Sequence, residues 1–303
     1  MHLLTYPLWL LSHIFQSEKL RSFFIHLNQN KHKGNIAGLK KVDSLDASHL
    51  TDKNLDSLRY NKKPLLLKGL MSQHLDSKNI DHNFLIENFP TFKTKPRIGN
   101  NEQIEEQTLI QILKNKEEKL TIASNELTQE PLFKKTLEIK KRFPRSKIFN
   151  SPLINHTLFV SSKGFYTRLH MEAGRLLNIQ LSGSKTWYLI DPQYSHILRP
   201  LLSDTTIHFS DVVKSIEDIE EVLAKKIPIY TCTLEKGDVL LVPPFYWHTV
   251  FCEKDAVSGT FQWLTLFKPF FENPFLSLFL LTSRNPSLWD VLYKNKKGKK
   301  GKK

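Results

Sequence analysis

The sequence predicts a mainly β fold with helical additions, in which two sheets close into a double-stranded β-helix, or jelly roll. Residues 176–190 form two apolar runs around a tight glycine turn, which is typical of strand, turn and strand. Residues 234–243 place a Lys-Gly-Asp turn before an unbroken apolar run, which is typical of a buried strand. His170, Glu172 and the distant His248 can meet only if separate strands converge, and a closed double-sheet fold brings such strands together.

The other segments are assigned in chain order around this core. Residues 1–34 are expected to form a helical lead-in, and residues 35–151 an α+β elaboration of the core. The β core is placed at residues 152–268 and C-terminal helices at residues 269–293, which are rich in Phe and Leu. A disordered Lys-rich tail is expected at residues 294–303.

Apolar residues at helical spacing predict individual helices within these segments. Asp76–Asn88 and Glu102–Lys114 are helix candidates in the N-terminal elaboration, and residues 126–148 are expected to be partly helical. Asp211–Ala224 is predicted to be an insertion helix between core strands.

Composition narrows the class of protein and its compartment. The 303 residues are enough for one large β core with helices around it. Cys232 and Cys252 are too few for a disulfide scaffold, and they indicate a reducing compartment, for which we expect the cytoplasm. The apolar run Leu3–Phe15 is shorter than the roughly 20 residues of a membrane span, and it lacks the features of a signal peptide. We therefore expect no transmembrane span and an amphipathic helix that packs on the domain, with contact to a membrane surface as the alternative.

The net charge of +14 is concentrated at the C-terminus, where the last ten residues contain seven lysines. A Lys/Gly tail of this kind is expected to contact polyanions. A nuclear signal, an RNA or ribosome contact and a merely solubilising end remain alternatives. The C-terminal helices before the tail offer a surface for homodimerisation.

The spaced His-x-Glu…His set carries the clearest chemistry. Residues i and i+2 of a strand point to the same side, so His170 and Glu172 can bind one ion together, with His248 arriving from another strand. Two imidazoles and one carboxylate on one face of a metal leave coordination positions open, as in the facial triad of non-heme Fe(II) oxygenases. A lone His-x-Glu in a chain with 12 His is weak evidence for a metal site, so the surrounding sequence must support that interpretation.

That surrounding sequence resembles the JmjC/cupin-like family of Fe(II)- and 2-oxoglutarate-dependent oxygenases. The matching pieces are LHMEAGRLLNIQLSGSKTWYLIDP and LEKGDVLLVPPFYWHTV, with the earlier NKKPLLLKGL. The resemblance runs loosely from Leu45 to Lys268, and its specific motifs lie between Phe159 and Trp263. It implies a double-stranded β-helix, Fe(II) as the metal and 2-oxoglutarate as the cosubstrate.

The resemblance also assigns roles by position. His170, Glu172 and His248 match the metal ligands. Lys185, fifteen residues after His170, matches the lysine that pairs with the distal carboxylate of 2-oxoglutarate. Thr167 matches a position whose hydroxyl donates to the same carboxylate. Because Thr167 and His170 are three residues apart, strict strand alternation would point them to opposite sides, so a bulge or bend is expected between them.

The chain departs from the family at several of these positions. Glu172 stands where the family usually has Asp, and its side chain is longer by one carbon–carbon bond of roughly 1.5 Å. Leu176 stands where Asn is common, and Asn178, two residues later on the same strand face, is expected to replace it. Gln262 takes the place of a late family Asn after a one-residue shift. We therefore assign Asn178 and Gln262, with Lys185 and Thr167, to the cosubstrate.

Two functions follow from these observations. The first is a 2-oxoglutarate-dependent dioxygenase that hydroxylates a protein side chain or another macromolecule such as RNA. The absence of reader domains favours this reaction over histone demethylation. The alternative is a catalytically silent cupin-like protein that binds or acts as a scaffold.

Further side chains near the motifs have structural interpretations. Trp187, Trp247 and Trp263 are expected to be core aromatics rather than substrate-stacking residues. Arg168 shares strand parity with His170, so it either lines the pocket or forms a surface ion pair.

Overall fold

A computed structural model gives the structure of the chain for residues 38–263, with gaps at 48–49, 59, 76–78, 99–101, 116, 137–142, 144–145, 147–153, 202–206 and 220–226, and for residues 11, 19, 273, 276 and 277. The lead-in, the C-terminal helices and the Lys-rich tail therefore lie almost wholly outside the described residues. No helix within the described part of the chain is long and apolar enough to cross a membrane.

Seventeen strands in the described residues confirm the prediction of a mainly β protein. The strands of the first half are β1 (Gly38–Lys41), β2 (Asp43–Asp46), β3 (Leu65–Lys68), β4 (Lys93–Thr94), β5 (Arg97–Ile98), β6 (Glu102–Gln103), β7 (Gln107–Thr108) and β8 (Thr121–Ser124). Those of the second half are β9 (Ile154–Ser161), β10 (His170–Glu172), β11 (Arg175–Ser182), β12 (Lys185–Ile190), β13 (Ile207–Phe209), β14 (Pro228–Leu234), β15 (Val239–Val242), β16 (Trp247–Cys252) and β17 (Ala256–Trp263). The strands predicted on either side of the glycine turn are β11 and β12, and the buried run before His248 is β15.

Two large sheets contain most of these strands. The six-stranded sheet has the order β1-β14-β12-β16-β10-β13, and the nine-stranded sheet has the order β2-β3-β15-β11-β17-β9-β8-β5-β6. β4 and β7 form a separate pair. Strands from the N-terminal elaboration therefore lie at the edges of both sheets, while the strands that carry the motifs lie at their centres.

The two sheets face each other across a shared interior. Leu176 and Leu240 of the nine-stranded sheet pack in one buried cluster with Trp187 and Val250 of the six-stranded sheet. Because side chains alternate along a strand, the neighbouring residues point outward. Leu177 on the outer face of β11, for example, packs in a cluster with residues of the N-terminal helices.

The helices in the described residues are short and surround the sheets. They are α1 (Asp52–Leu58), α2 (Ser72–Leu75), α3 (His82–Asn88), α4 (Leu109–Lys114), α5 (Pro131–Thr136) and α6 (Ser195–Leu198). α5 and the preceding 3-10 turn Leu127–Gln129 confirm that residues 126–148 are helical in part. The two other N-terminal helix predictions were too long.

Each of those helices begins at a capping residue well inside the predicted span. The Asp81 carboxylate accepts a hydrogen bond from the Phe84 N–H at 2.9 Å, so α3 begins at His82 and not at Asp76. Thr108 and Gln111 form a capping box at the start of α4. Before that cap the chain is extended, because β6 pairs with β5 and β7 pairs with β4.

The predicted insertion helix at Asp211–Ala224 also begins later than expected. Residues 211–216 are not helical, and helical backbone starts at Glu217. The Asp218 carboxylate accepts the N–H groups of Lys214 and Ser215, which holds the turn before the helix. The remainder of this prediction lies at residues 220–226, outside the described residues.

Gly183 in the turn between β11 and β12 should be intolerant of substitution. Its φ is +65°, and an added Cβ would lie 2.1 Å from the Asp255 carbonyl oxygen. Gly69 has a matching φ of +67°, but its Cβ would meet only the Ser72 hydroxyl at 3.5 Å. We expect Gly69→Ala to cost roughly 1–3 kcal/mol of unfolding free energy from backbone strain. Gly183→Ala should cost about 1–3 kcal/mol more from overlap. Urea denaturation measures both, and equal losses would contradict this account of the turn.

Candidate metal and cosubstrate site

The predicted His-x-Glu…His set converges in the structure. Ligand atoms of His170, Glu172 and His248 all lie within 4.8 Å of one another. His170 and His248 are directly opposite residues of β10 and β16, and their ring centroids are 4.2 Å apart. Glu172 follows on the same face of β10, and its Oε1 lies 3.5 Å from His170 Nε2. The strand period and the antiparallel register thus bring the three side chains together.

Backbone carbonyls orient both imidazoles toward a common centre. His170 Nδ1 lies 2.8 Å from the Arg168 carbonyl oxygen, and His248 Nδ1 lies 3.0 Å from the Tyr246 carbonyl oxygen. An Nδ1–H that donates to a carbonyl leaves Nε2 with a free lone pair for a metal. Burial and the nearby His170 lower the pKa of His248 to about 4, so its ring is neutral at pH 7. Neutral imidazole is the form that binds metals.

Glu172 is held from both sides. Its Oε1 is the oxygen near His170, and its Oε2 accepts a hydrogen bond from the Gln262 side-chain amide. Burial raises the pKa of Glu172, but the contact with His170, the nearby His248 and the Gln262 hydrogen bond outweigh it, so the pKa lies below its ordinary value. The side chain is therefore a carboxylate at neutral pH.

Lys185 lies inside the same interior. Its side chain is buried, and Nζ donates a hydrogen bond to the Ser258 hydroxyl at 2.8 Å. Burial lowers the pKa of Lys185, and among the described residues no carboxylate pairs with its ammonium. Nζ also lies over the Phe159 ring, 5.8 Å from its centroid. A buried ammonium with no carboxylate partner in the described residues suits an anionic ligand.

Asn178 lies between the lysine and the metal ligands on the opposite sheet. Its Nδ2 is 2.5 Å from the Thr260 hydroxyl oxygen, and its Oδ1 has no hydrogen-bond partner in the described part of the chain. The Thr260 hydroxyl can donate as well as accept, so a rotated amide would keep this bond and present its NH₂ group to a ligand. Leu176, two residues earlier, belongs to the apolar cluster between the sheets.

Thr167 lies at the edge of this arrangement. Its hydroxyl oxygen accepts the Val250 N–H at 2.9 Å, and its own N–H donates to the Val250 carbonyl. Among the described residues the hydroxyl donates to no acceptor, so its proton is available for a ligand. Residues 167–169 form no regular strand, and β10 begins at His170, so the expected irregularity between Thr167 and His170 is present.

Arg97 is a site residue that the sequence analysis missed. It is half-buried on β5, where burial lowers the pKa of its guanidinium and the Glu172 carboxylate opposes that shift. The side chain therefore places a positive charge near the acidic ligand. No local motif marks Arg97, because it lies near the site on β5, a short strand of the N-terminal elaboration between β8 and β6.

The aromatic residues near the motifs are buried, as predicted, although one of them also contacts the candidate metal ligand His248. Trp247 and Trp263 are fully buried. Trp187 is buried too, but its indole stacks on the His248 ring at 5.7 Å between centroids, and its Nε1 has no partner in the described residues. Arg168 lies over the Phe209 ring and donates to the Ser210 carbonyl. It thus packs beside His170, whose ring contacts the same Phe209, and no ion pair of Arg168 is present in the described chain.

The donor set fits a divalent transition metal and a carboxylate cosubstrate. Two imidazole nitrogens and one carboxylate oxygen on one face suit Fe(II) and leave positions open. The Lys185 ammonium and the Trp187 Nε1–H, which has no partner in the described residues, give the interior donors for an anion, and the Asn178 amide would add a third once rotated.

Comparison with known proteins agrees with this fold and site. The family described as a cupin-like domain matches residues 56–268, well over half of the chain. The chain therefore belongs to the cupin-like family, in its JmjC-like branch, as its motifs predicted.

Curated relatives share only part of their length with this chain. An Arabidopsis thaliana protein named arginine-specific demethylase JMJ20 is 23% identical over 112 residues, which are 36% of this chain and 24% of the relative. The human tRNA wybutosine-synthesizing protein 5 is 28% identical over 138 residues, 45% of this chain and 40% of the relative. Human HSPB1-associated protein 1 is 30% identical over 118 residues, 36% of this chain and 23% of the relative. The chain spans less than half the length of each.

Proposed function

We propose that this protein is an Fe(II)- and 2-oxoglutarate-dependent oxygenase whose two sheets form a double-stranded β-helix around the site. The observation that carries the proposal is a pair of features in one interior. Three metal-ligand side chains converge within 4.8 Å, and a buried lysine in the same interior has no carboxylate partner among the described residues. Iron at the triad would supply the chemistry in which O₂ converts 2-oxoglutarate to succinate and CO₂ while a substrate C–H becomes C–OH.

The protein's own residues divide into two groups at opposite ends of the interior. Leu189 pairs with His248, and Lys185 begins the same strand four residues earlier, which is about 13 Å of strand. Ser258, which binds Lys185, is likewise four residues from Gln262, which binds Glu172. A five-carbon diacid contains four carbon–carbon bonds of roughly 1.5 Å each, so it fits between the two ends once side chains reach in from both.

Within that span, each polar group has one task. Lys185 neutralises the distal carboxylate of the cosubstrate, and Asn178 donates its amide to the ligand from the opposite sheet. Thr167 contributes its remaining hydroxyl proton. Gln262, assigned with these residues on sequence grounds, lies at the metal end and contacts Glu172. The apolar cluster around Leu176 and Val250 keeps water from the middle of the interior.

The substrate we propose is a side chain of a protein or a position on another macromolecule such as RNA. Two relatives are named for arginine demethylation and for tRNA wybutosine synthesis. The two free cysteines, one buried and one half-buried, agree with the reducing cytoplasm as the compartment.

Metal-dependent binding of the cosubstrate tests this proposal. Anaerobic isothermal titration of 2-oxoglutarate should show 1:1 binding to protein loaded with Fe(II) or with redox-stable Mn(II), and much weaker binding to metal-free protein. Glutarate, which lacks the keto group, is the matched control, and its binding should depend less on the metal. Equal 2-oxoglutarate affinity with and without metal would exclude the proposed cosubstrate.

Substitutions of Glu172, which is longer than the usual Asp, should lower the metal affinity in a graded way. Glu172→Asp keeps a carboxylate but withdraws it by roughly 1.5 Å, so metal binding should weaken but persist. Glu172→Ala should lose most of it, and the isosteric Glu172→Gln, which removes the charge, should resemble the Ala variant. Competition titration with Mn(II) measures the three affinities. Wild-type affinity in Glu172→Ala would show that only the two histidines bind the metal.

A further inference from the structure

Gln262 and Gly174 lie beside the acidic ligand on the side of the nine-stranded sheet. Glu172 ends β10 in the six-stranded sheet, and the chain crosses to the other sheet through a bend at Ala173 and Gly174. β11 then begins at Arg175, opposite Trp263 on β17. This crossing brings Gly174 next to Gln262, the neighbour of Trp263.

The Gln262 amide makes the two oxygens of Glu172 inequivalent. Nε2 of Gln262 donates to Oε2, while Oε1 is the oxygen that lies 3.5 Å from His170 Nε2. An oxygen engaged by an amide N–H is a poorer metal ligand than its unengaged partner. The contact therefore selects Oε1 as the oxygen presented to the metal.

Gly174 provides the space that this contact needs. A Cβ at position 174 would lie 2.6 Å from Gln262 Cγ and 2.8 Å from Nε2. The φ of Gly174 is not in the left-handed region, so its backbone would accept alanine. Space for the Gln262 side chain, and not backbone conformation, is what requires glycine here.

We infer that Gln262, admitted by Gly174, is a positioning residue that holds Glu172 as a one-oxygen metal ligand. A glutamate has more side-chain freedom to lose on binding than a shorter acid, and a fixed amide partner removes that freedom before the metal arrives. The inference rests on the metal site of the proposed function. It gives Gln262 a role at the metal instead of at the cosubstrate carboxylate.

Metal titrations of four variants test this role. Gln262→Met keeps the size of the side chain but removes the N–H donor, and Gln262→Ala removes both. Gly174→Ala displaces the amide without altering Gln262, and Gly174→Ala with Gln262→Ala completes the cycle. The affinity for Co(II) is measured by competition, and the absorption spectrum of bound Co(II) reports its coordination. The melting temperature of the metal-free protein reports folding.

Each single variant should bind Co(II) roughly 10–100-fold more weakly and alter its spectrum, as loss of a partner behind a metal ligand does. The melting temperature of metal-free Gln262→Met should stay near that of wild type. The double variant should match Gln262→Ala alone, because Gly174→Ala acts only through the amide.

Wild-type affinity and spectrum in Gln262→Met would overturn the inference while leaving the proposed function intact. Failure of the wild type itself to bind metal would remove the proposed function. An additional loss from Gly174→Ala in the Gln262→Ala background would overturn the role of Gly174.

Discussion

His248→Ala should abolish divalent metal binding while the protein stays folded. The imidazole contributes one of three ligand atoms, and its Nε2 is directed inward by the bond from Nδ1 to the Tyr246 carbonyl. Without this imidazole, only His170 and Glu172 remain as metal donors, and no third side chain in the described part of the chain replaces it. The loss of a buried ring should cost about 1–3 kcal/mol of unfolding free energy, which a domain of this size tolerates. Anaerobic titration with Fe(II) or Mn(II) and urea denaturation measure the two effects separately.

His208→Ala is the matched control for that experiment. His208 is another buried histidine of the six-stranded sheet, on β13 beside β10, and its Nδ1 contacts the Leu201 carbonyl oxygen. It is not among the three converging ligands. Its removal should lower stability by a similar amount and leave the metal affinity near that of wild type. Metal binding retained by His248→Ala, or lost equally by both variants, would be incompatible with the triad.

Lys185→Ala should weaken 2-oxoglutarate binding by several hundred-fold or more without altering metal binding. Removing one partner of a buried ion pair costs about 3–5 kcal/mol, because the other charge remains desolvated. At about 1.4 kcal/mol for each tenfold change, this loss gives the stated range. The metal ligands lie four residues of strand away, so the affinity for Mn(II) should change little.

Two further variants separate charge from packing in that result. Lys185→Met keeps most of the side-chain volume without the ammonium. It should weaken 2-oxoglutarate binding to the same extent as Lys185→Ala. In the absence of ligand it should melt no lower than wild type, because it removes an amine whose pKa is lowered by burial. Lys163→Ala alters an exposed lysine and should leave both affinities unchanged. Wild-type 2-oxoglutarate affinity in Lys185→Met would indicate that this interior binds a different ligand.

The sequence predicted those parts of the site that depend on strand period and on recognisable turns. His170 and Glu172 share a face because they are two residues apart. The Ser-Gly-Ser turn between β11 and β12 could likewise be predicted from the local sequence. These features are local, so a single chain is enough to show them. The role of Lys185 was predicted instead from the family resemblance and its spacing from His170.

Contacts between the sheets could not be predicted in the same way. Arg97 lies close enough for the Glu172 charge to act on its pKa, but it is on β5, far earlier in the chain, and nothing in the neighbouring sequence marks it. The family resemblance assigned Gln262 to the cosubstrate but could not show that its partner would be a metal ligand. The prediction of a helix from Glu102 failed for a related reason, because pairing of β6 and β7 with other strands overrides the local apolar spacing.

Formation of succinate from 2-oxoglutarate is the most direct test of the central claim that this interior is an iron- and 2-oxoglutarate-dependent active site. Protein loaded anaerobically with Fe(II) and 2-oxoglutarate is exposed to O₂, and succinate is quantified against time with and without chelator. We expect slow turnover even without the natural substrate, abolished by chelator, by His248→Ala and, at limiting 2-oxoglutarate, by Lys185→Met, but kept by His208→Ala. Binding of metal and 2-oxoglutarate with no succinate, in the presence of a broad set of protein and RNA substrates, would contradict the claim and identify a silent cupin-like binding protein.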